Sequence, residues 1–207
     1  MFKNRKFLSP FKVMFHPFAA FEEMKDYKSG NLIEVPMLIL CFFIIRILTL
    51  VLSGFLFNTN KLSQVNLPLE FAAVVGIYLV FIISNWLFCD LTQSEAKLHE
   101  IALVTAFALM PYMVSSLVNI VLSNVLVTRE AVFMSLVSFL GLLWSAIVGI
   151  VGLKMMHNFS AGKTIITLFV TVVFMALIAF LGVIIFSLTQ QLLIFIKDIY
   201  NEIIYRV

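Results

Sequence analysis

Residues 164–188 read TIITLFVTVVFMALIAFLGVIIFSL and contain no charged side chain. A helix that crosses the hydrocarbon core of a bilayer needs about 20 apolar residues in a row, so this stretch predicts a membrane-spanning helix. Four similar apolar runs precede it, at 33–57, 67–89, 101–127 and 131–153. The sequence therefore predicts an all-α integral membrane protein with five transmembrane helices.

The composition of the whole chain agrees with this prediction. Of 207 residues, 62% are hydrophobic and 12% are charged, and the mean hydropathy is +1.10. A soluble domain has about half apolar and a quarter charged residues, so this chain has too few charges to form a water-facing surface. A disordered chain, a disulfide-rich secreted domain and a nucleic-acid-binding domain are excluded. Nucleic acid is therefore not an expected partner.

The positions of Lys and Arg predict the orientation of the helices. Nine of them fall on the side of the N-terminal segment and four on the opposite side, with Arg46 inside the first run. We therefore predict a multi-pass protein of the cell membrane with a cytoplasmic N-terminus. No apolar run begins before Leu32, so we expect no cleavable signal peptide, and the first run should act as the insertion signal.

Amphipathic segments flank the predicted membrane domain, which covers residues 32–189. In the cytoplasmic segment 1–31, aromatic and Met side chains recur at steps of three and four: Phe11, Met14, Phe15, Phe18 and Phe21. This pattern predicts an interfacial helix that either anchors on the membrane surface or docks a cytoplasmic partner. The tail 190–207 is predicted to extend the fifth helix or to lie on the outer leaflet.

Arg46 lies about halfway along the first apolar run. A charge in a bilayer is costly, by about 2.5–3.5 kcal/mol on insertion scales, so its side chain should face protein or water. Counting residues along the runs places no acid at the same depth, and the predicted partners are carbonyls freed by Pro111 and the hydroxyl of Tyr112. Arg46 is interpreted either as a substrate or lipid-headgroup contact or as an internal hydrogen-bonded strut.

Two helical faces carry small or polar residues at steps of four. Gly141, Ser145 and Gly149 form a stripe on which another helix backbone can approach closely. In the third run a polar stripe consists of Ser115, Asn119 and Ser123. We interpret both stripes as helix-packing surfaces, and a polar conduit along the third run is the alternative.

A group of histidine and acidic residues lies at the predicted cytoplasmic side. Glu95 and His99 are four residues apart in one inner loop, and His157 is in the other. Imidazole and carboxylate groups together can form a metal or proton site, whereas a solvated polar rim at the helix ends would need no ligand. We favour the rim, and predict no catalytic residue, metal or cofactor.

Nearby motifs do not change this prediction. HNFSAGKT at 157–164 lacks the first glycine of a phosphate-binding loop, and Leu103 stands where the zinc-peptidase pattern needs a second histidine. Cys41 and Cys89 lie in apolar runs and are interpreted as small hydrophobic residues.

Five stretches in order along the chain resemble the Yip1 family, in its bacterial five-span branch. They are FHPFAAFEEMK at 15–25, FIISNWLF at 81–88, ALMPY at 108–112, LSNVLVTREAVF at 122–133 and LLWSAIVGIVGLKMMHNFSAGKTI at 142–165. The resemblance implies a Yip1 domain of five helices with a cytosolic N-terminus. The glycine expected in the first inner loop is missing here, where 93–97 read QSEAK.

The resemblance also implies a class of function. Eukaryotic members act in vesicle trafficking and contact small GTPases, a pathway that bacteria lack. Bacterial relatives often lie genetically beside sugar-uptake ABC transporters, which implies an accessory role.

We therefore expect a non-enzymatic scaffold or accessory subunit of another membrane complex, such as a sugar-uptake ABC transporter. Expected partners are membrane lipids, other integral membrane proteins and a second copy of the chain. The alternative is a small transporter or channel that uses Arg46 and the polar stripe of the third run. A membrane enzyme ranks third, because only the inner histidine-acid group would support it.

Overall fold

The computed structural model describes residues 9–26, 31–58, 65–92, 94 and 96–205. In this part of the chain all regular secondary structure is helical. The helices are α1 (Pro10–Phe15), α2 (Pro17–Asp26), α3 (Glu34–Leu52), α4 (Leu67–Leu91), α5 (Leu98–Ala108), α6 (Met110–Val125), α7 (Ala131–His157) and α8 (Ala161–Tyr205), and a 3-10 turn covers Thr128–Glu130.

Five helical units are long and apolar enough to cross a membrane. They are Glu34–Leu52, Leu67–Asp90, Leu98–Val125, Thr128–His157 and Ala161–Glu202. The prediction of an all-α membrane protein with five spanning helices is confirmed.

Proline residues set several of the helix boundaries. Pro10 and Pro17 occupy the first positions of α1 and α2, where a missing backbone N–H costs nothing. α4 begins after Asn66, whose side-chain oxygen accepts a hydrogen bond from the Leu69 amide at 3.3 Å. Pro111 lacks the N–H that would continue the preceding helix, and the predicted third run is therefore two helices, with the break at Leu109.

The bundle is built around α7. α5 and α6 pack along α7, α3 packs against α6, and α4 pairs with α8. α7 ends at Asn158, whose backbone adopts the left-handed conformation with φ of 56°, and this turn reverses the chain into α8.

The N-terminal helices α1 and α2 pack against the same core as the spanning helices. Phe21 is fully buried and belongs to a cluster with Val104 and Val148. The Trp144 indole N–H donates to the Met14 carbonyl at 3.1 Å, and Lys25 Nζ donates to the Met155 carbonyl at 3.2 Å. α1 and α2 therefore lie along the half of α7 that ends at His157. Of the predicted aromatic face, Met14 and Phe21 are buried, whereas Phe11, Phe15 and Phe18 are exposed.

α8 is continuous from Ala161 to Tyr205, 45 residues in all. The tail predicted at 190–207 thus extends the fifth helix as far as Tyr205, which is one of the two alternatives. At a rise of 1.5 Å per residue, α8 is about 67 Å long, more than twice the hydrocarbon thickness of about 30 Å. Among the side chains of α8 that the structure describes, the buried ones lie in its first part: Thr164, Thr167 and Thr171.

Candidate functional site

A cavity of about 650 Å³ lies inside the membrane domain and is lined by residues of α3 to α8. Most of its wall is apolar, including Ile39, Val74, Ile77, Val104, Leu142 and Leu168. The charged residues of its lining are Arg46 from α3 and Glu70 from α4. Its volume is within the range of sites that hold drug-sized ligands, about 300–1,000 Å³.

Arg46 and Glu70 form an ion pair at one end of this cavity. Arg46 Nε donates to Glu70 Oε2 at 3.3 Å, and the two side chains are 48% and 29% exposed. The prediction that Arg46 has no acid at its depth was therefore wrong, as was the choice of the Pro111 region and Tyr112 as its partners. Tyr112 instead contributes to the cavity wall, with its ring 6.2 Å from that of Phe42.

The length of α3 explains this error. The predicted first run continues to residue 57 and places Arg46 at mid-membrane, but α3 ends at Leu52. Arg46 is six residues from that end, about 9 Å along the helix axis. Glu70 lies in the first turn of α4, which begins at the same end of the bundle. An acid in the first turn of a spanning helix is the sequence signal that would have identified it.

Three hydroxyl groups along the cavity wall are already bonded to backbone carbonyls. The Tyr78 hydroxyl donates to the Ala102 carbonyl at 2.7 Å, and Thr105 Oγ1 donates to the Ile101 carbonyl at 2.7 Å. The Ser145 hydroxyl donates to the Ala108 carbonyl, at the break between α5 and α6. Because these donors are satisfied internally, the wall away from the charged end is mostly hydrophobic, and Tyr112 supplies the remaining hydroxyl of the described lining.

The polar stripe of α6 is used in contacts between helices. Asn119 Nδ2 donates to Ser138 Oγ of α7 at 2.7 Å. Ser123 Oγ accepts from the Gly54 amide, just after α3, at 2.9 Å. The described lining of the cavity includes none of Ser115, Asn119 or Ser123.

The small-residue stripe of α7 faces α5 and α6. A Cβ added at Gly141 would lie 2.0 Å from Ser115 Oγ, and one at Gly149 would lie 3.4 Å from the Ala108 Cβ. The closest approaches also include Gly152, which sequence periodicity did not select. There an added Cβ would lie 2.5 Å from a methyl carbon of Val104 and 2.9 Å from the Phe21 ring.

His157 is the centre of a buried polar network at the opposite end of the bundle. It is 2% exposed, and its Nδ1 lies 2.5 Å from Ser94 Oγ. Its Nε2 lies 3.1 Å from Asn85 Oδ1 and 3.5 Å from Cys89 Sγ. Asn85 Nδ2 in turn donates to Thr171 Oγ1 of α8 at 3.0 Å.

This network fixes the roles of the histidine nitrogens. Ser94 Oγ accepts from the Ala96 amide at 3.1 Å, so its proton is directed to Nδ1 of His157. The Asn85 amide nitrogen bonds Thr171, so its oxygen faces Nε2, which carries the proton of the neutral ring. The network therefore joins α4, α7 and α8, with Asn85 as the link between His157 and Thr171. The interpretation of His157 as part of a solvated rim was wrong, because the side chain is buried and bonded to protein.

The other members of the predicted histidine-acid group do not join this network among the described residues. His99 Nε2 lies 3.9 Å from its neighbour Glu100, and both side chains are about a third exposed. Glu95 lies outside the described residues. Among those described, no three His, Cys, Asp or Glu side chains are placed to hold a metal ion. The amide Asn85, inside an apolar run, was the sequence signal for the network that was missed.

Comparisons with known proteins agree with the family resemblance. The family model described as the Yip1 domain matches residues 11–184. That range contains the cavity, the His157 network and all helices except the first residue of α1 and the last part of α8. No curated protein and no solved structure matches the chain.

Proposed function

The chain belongs to the Yip1 family, and from that premise we propose that this polytopic membrane protein is a non-enzymatic scaffold or accessory subunit of another membrane complex. The observation that carries the proposal is the second half of α8. Every residue from 179 to 200 is exposed. We call this segment the distal α8 surface.

The distal α8 surface is apolar, and most of it lies beyond the length of helix that one membrane crossing requires. A span of about 20 residues from Ala161 ends near residue 181, and the remaining residues extend about 36 Å further. Their exposed side chains include Ile185, Phe186, Leu188, Leu192, Leu193, Ile194, Phe195 and Ile196. An apolar surface of this extent marks an interaction site, since water would otherwise contact it.

The proposed occupant of the distal α8 surface is another integral membrane protein. Helices in a membrane associate through packing, and a helical segment whose side chains are all exposed, as at 179–200, is available to a partner. The proposed partner class is a sugar-uptake ABC transporter, and its support is the genetic neighbourhood of bacterial relatives. The proposed location is a bacterial plasma membrane with the N-terminal helices cytoplasmic, supported by the excess of Lys and Arg on that side.

Site-specific photocrosslinking in native membranes tests the proposal. A photoreactive residue at Ile194 should form an adduct with a second membrane protein, which mass spectrometry would identify. Phe133 is the matched control, because it is an exposed apolar residue of α7 within the bundle. Adducts only with lipid, or only with a second copy of this chain, would contradict the accessory role.

A small transporter that uses Arg46 is the second candidate, and the cavity beside Arg46 favours it. The stripe of Ser115, Asn119 and Ser123 supports it less, because its side chains take part in helix contacts. The two functions respond differently to variants. Removal of residues after Ser187 should abolish an accessory function, whereas Arg46→Gln should abolish transport and leave partner crosslinking intact.

A further inference from the structure

We propose that the cavity binds one phospholipid with a zwitterionic phosphoethanolamine headgroup, which the Arg46–Glu70 pair holds while an acyl chain occupies the apolar remainder. The proposal concerns a ligand of this chain and does not depend on the partner of the distal α8 surface.

The depth of the cavity matches one leaflet. Its wall on α4 runs from Glu70 to Phe81, twelve residues, and the eleven steps between them make about 16 Å of helix. That is close to half of the hydrocarbon thickness of about 30 Å. The ion pair lies where α3 ends and α4 begins, so it is at the headgroup end of that leaflet.

The cavity is accessible from the lipid side of the bundle. Two of its apolar lining residues, Ile77 of α4 and Leu142 of α7, are 66% and 59% exposed. Its wall therefore reaches the outer surface of the helices, and a lipid can enter sideways without crossing the bundle.

The charges of the pair select the headgroup. A guanidinium has five N–H donors, and Nε alone bonds a carboxylate among the described residues. The Nη donors are thus available for a bidentate contact with a phosphate. Glu70 Oε1, the second carboxylate oxygen, is available for an ammonium group. The Arg46–Glu70 pair is neutral overall, so a headgroup with a phosphate and no amine would leave one net negative charge in the site.

Native mass spectrometry of the full chain, reconstituted in nanodiscs with equal phosphatidylethanolamine and phosphatidylglycerol, tests the proposal. We expect one retained phosphatidylethanolamine per chain. Glu70→Gln should lower its occupancy relative to phosphatidylglycerol by about tenfold, since it removes a charge-assisted contact. Arg46→Gln should lower the occupancy of both lipids.

A second pair of variants separates lipid binding from folding. Ala146 lines the cavity, and Ala146→Phe should fill it and remove the bound lipid. Ala179→Phe, the same change at an exposed residue of α8, should retain the lipid. Gel filtration and thermal unfolding monitor folding of each variant. The proposal is overturned if the folded native chain retains no lipid, if it retains phosphatidylglycerol equally well, or if the two phenylalanine variants behave alike.

Discussion

Individual polar side chains in this bundle form hydrogen bonds mainly with each other and with backbone carbonyls. His157 illustrates this best, since Ser94 and Asn85 occupy both of its nitrogens and the Phe159 ring stacks on it at 5.2 Å. Lys163 Nζ lies 3.7 Å from the centre of the same Phe159 ring and makes a cation–π contact with it. A histidine in such an environment holds helices in register and leaves no nitrogen for a metal.

His157→Ala should therefore lower the stability of the folded chain. The change leaves the buried Asn85 oxygen with only the weak Cys89 thiol donor at 3.8 Å and removes the acceptor of the Ser94 hydroxyl, at a cost of about 1–3 kcal/mol. Thermal unfolding in detergent would measure the effect. His99→Ala is the control, because that side chain is a third exposed and should cost much less. Near-stoichiometric zinc in the native protein that is lost in His157→Ala would contradict the structural role.

At the scale of single residues, the sequence identified a side chain that needs a partner, but it did not identify the partner. The intramembrane charge of Arg46 was recognisable, because a charged side chain in an apolar run must have a partner. Its partner Glu70 could not be found, since counting residues from an assumed helix end shifted Arg46 toward the bilayer centre. The same limit applies to Asn85, whose partners His157 and Thr171 are 72 and 86 residues away in the sequence.

Among the helices, α7 is the element against which most others pack, and its small residues permit the close approach. The contacts along its stripe are not equivalent, however. Ser115 of α6 leaves no room for a side chain at Gly141, whereas the space at Gly149 allows ordinary van der Waals contact. The spacing of small residues identifies such a face, but it cannot identify the position at which the neighbouring helix comes closest. Gly152 shows this, because an added Cβ would lie 2.5 Å from a Val104 methyl carbon there although the residue lies outside the stripe.

Alanine substitutions at Gly141 and Gly149 should therefore give opposite results. Gly141→Ala should destabilise the bundle by about 1–3 kcal/mol, because the added methyl overlaps Ser115. Gly149→Ala should be neutral or stabilising by up to about 1 kcal/mol, because alanine is the better helix former. Thermal unfolding of the purified variants would measure both. Gly182→Ala is the control, because no atom lies within 4 Å of the added Cβ. Equal stability of the Gly141 and Gly149 variants would show that the α6–α7 contact is looser than described.

For the molecule as a whole, composition and run length were sufficient to predict the fold class and the number of spanning helices. They could not predict that α1 and α2 pack into the core of the membrane domain, because an amphipathic pattern fits a lipid surface and a protein surface equally well. Phe21 and Met14 are buried against protein, while Phe11 on the same predicted face is 73% exposed. Long-range packing of this kind depends on the shape of α7, which local sequence does not specify.

The orientation of the bundle in the membrane is the whole-molecule property that the charge distribution predicts, and cysteine labelling can measure it. A membrane-impermeant maleimide added to intact cells should label Thr128→Cys and Tyr205→Cys, which lie at the predicted outer ends of the α6–α7 turn and of α8. It should not label Gly162→Cys, which lies near the predicted cytoplasmic start of α8 and has open space around an added Cβ. The native chain controls for background, because Cys89 is buried and Cys41 lies within α3. Five crossings require Gly162 and Tyr205 to be on opposite sides, since one helix joins them.

Labelling of Gly162→Cys with protection of Thr128→Cys would show that the orientation is the reverse of the predicted one. That result would place the Arg46–Glu70 pair, and the lipid proposed to bind it, in the cytoplasmic leaflet.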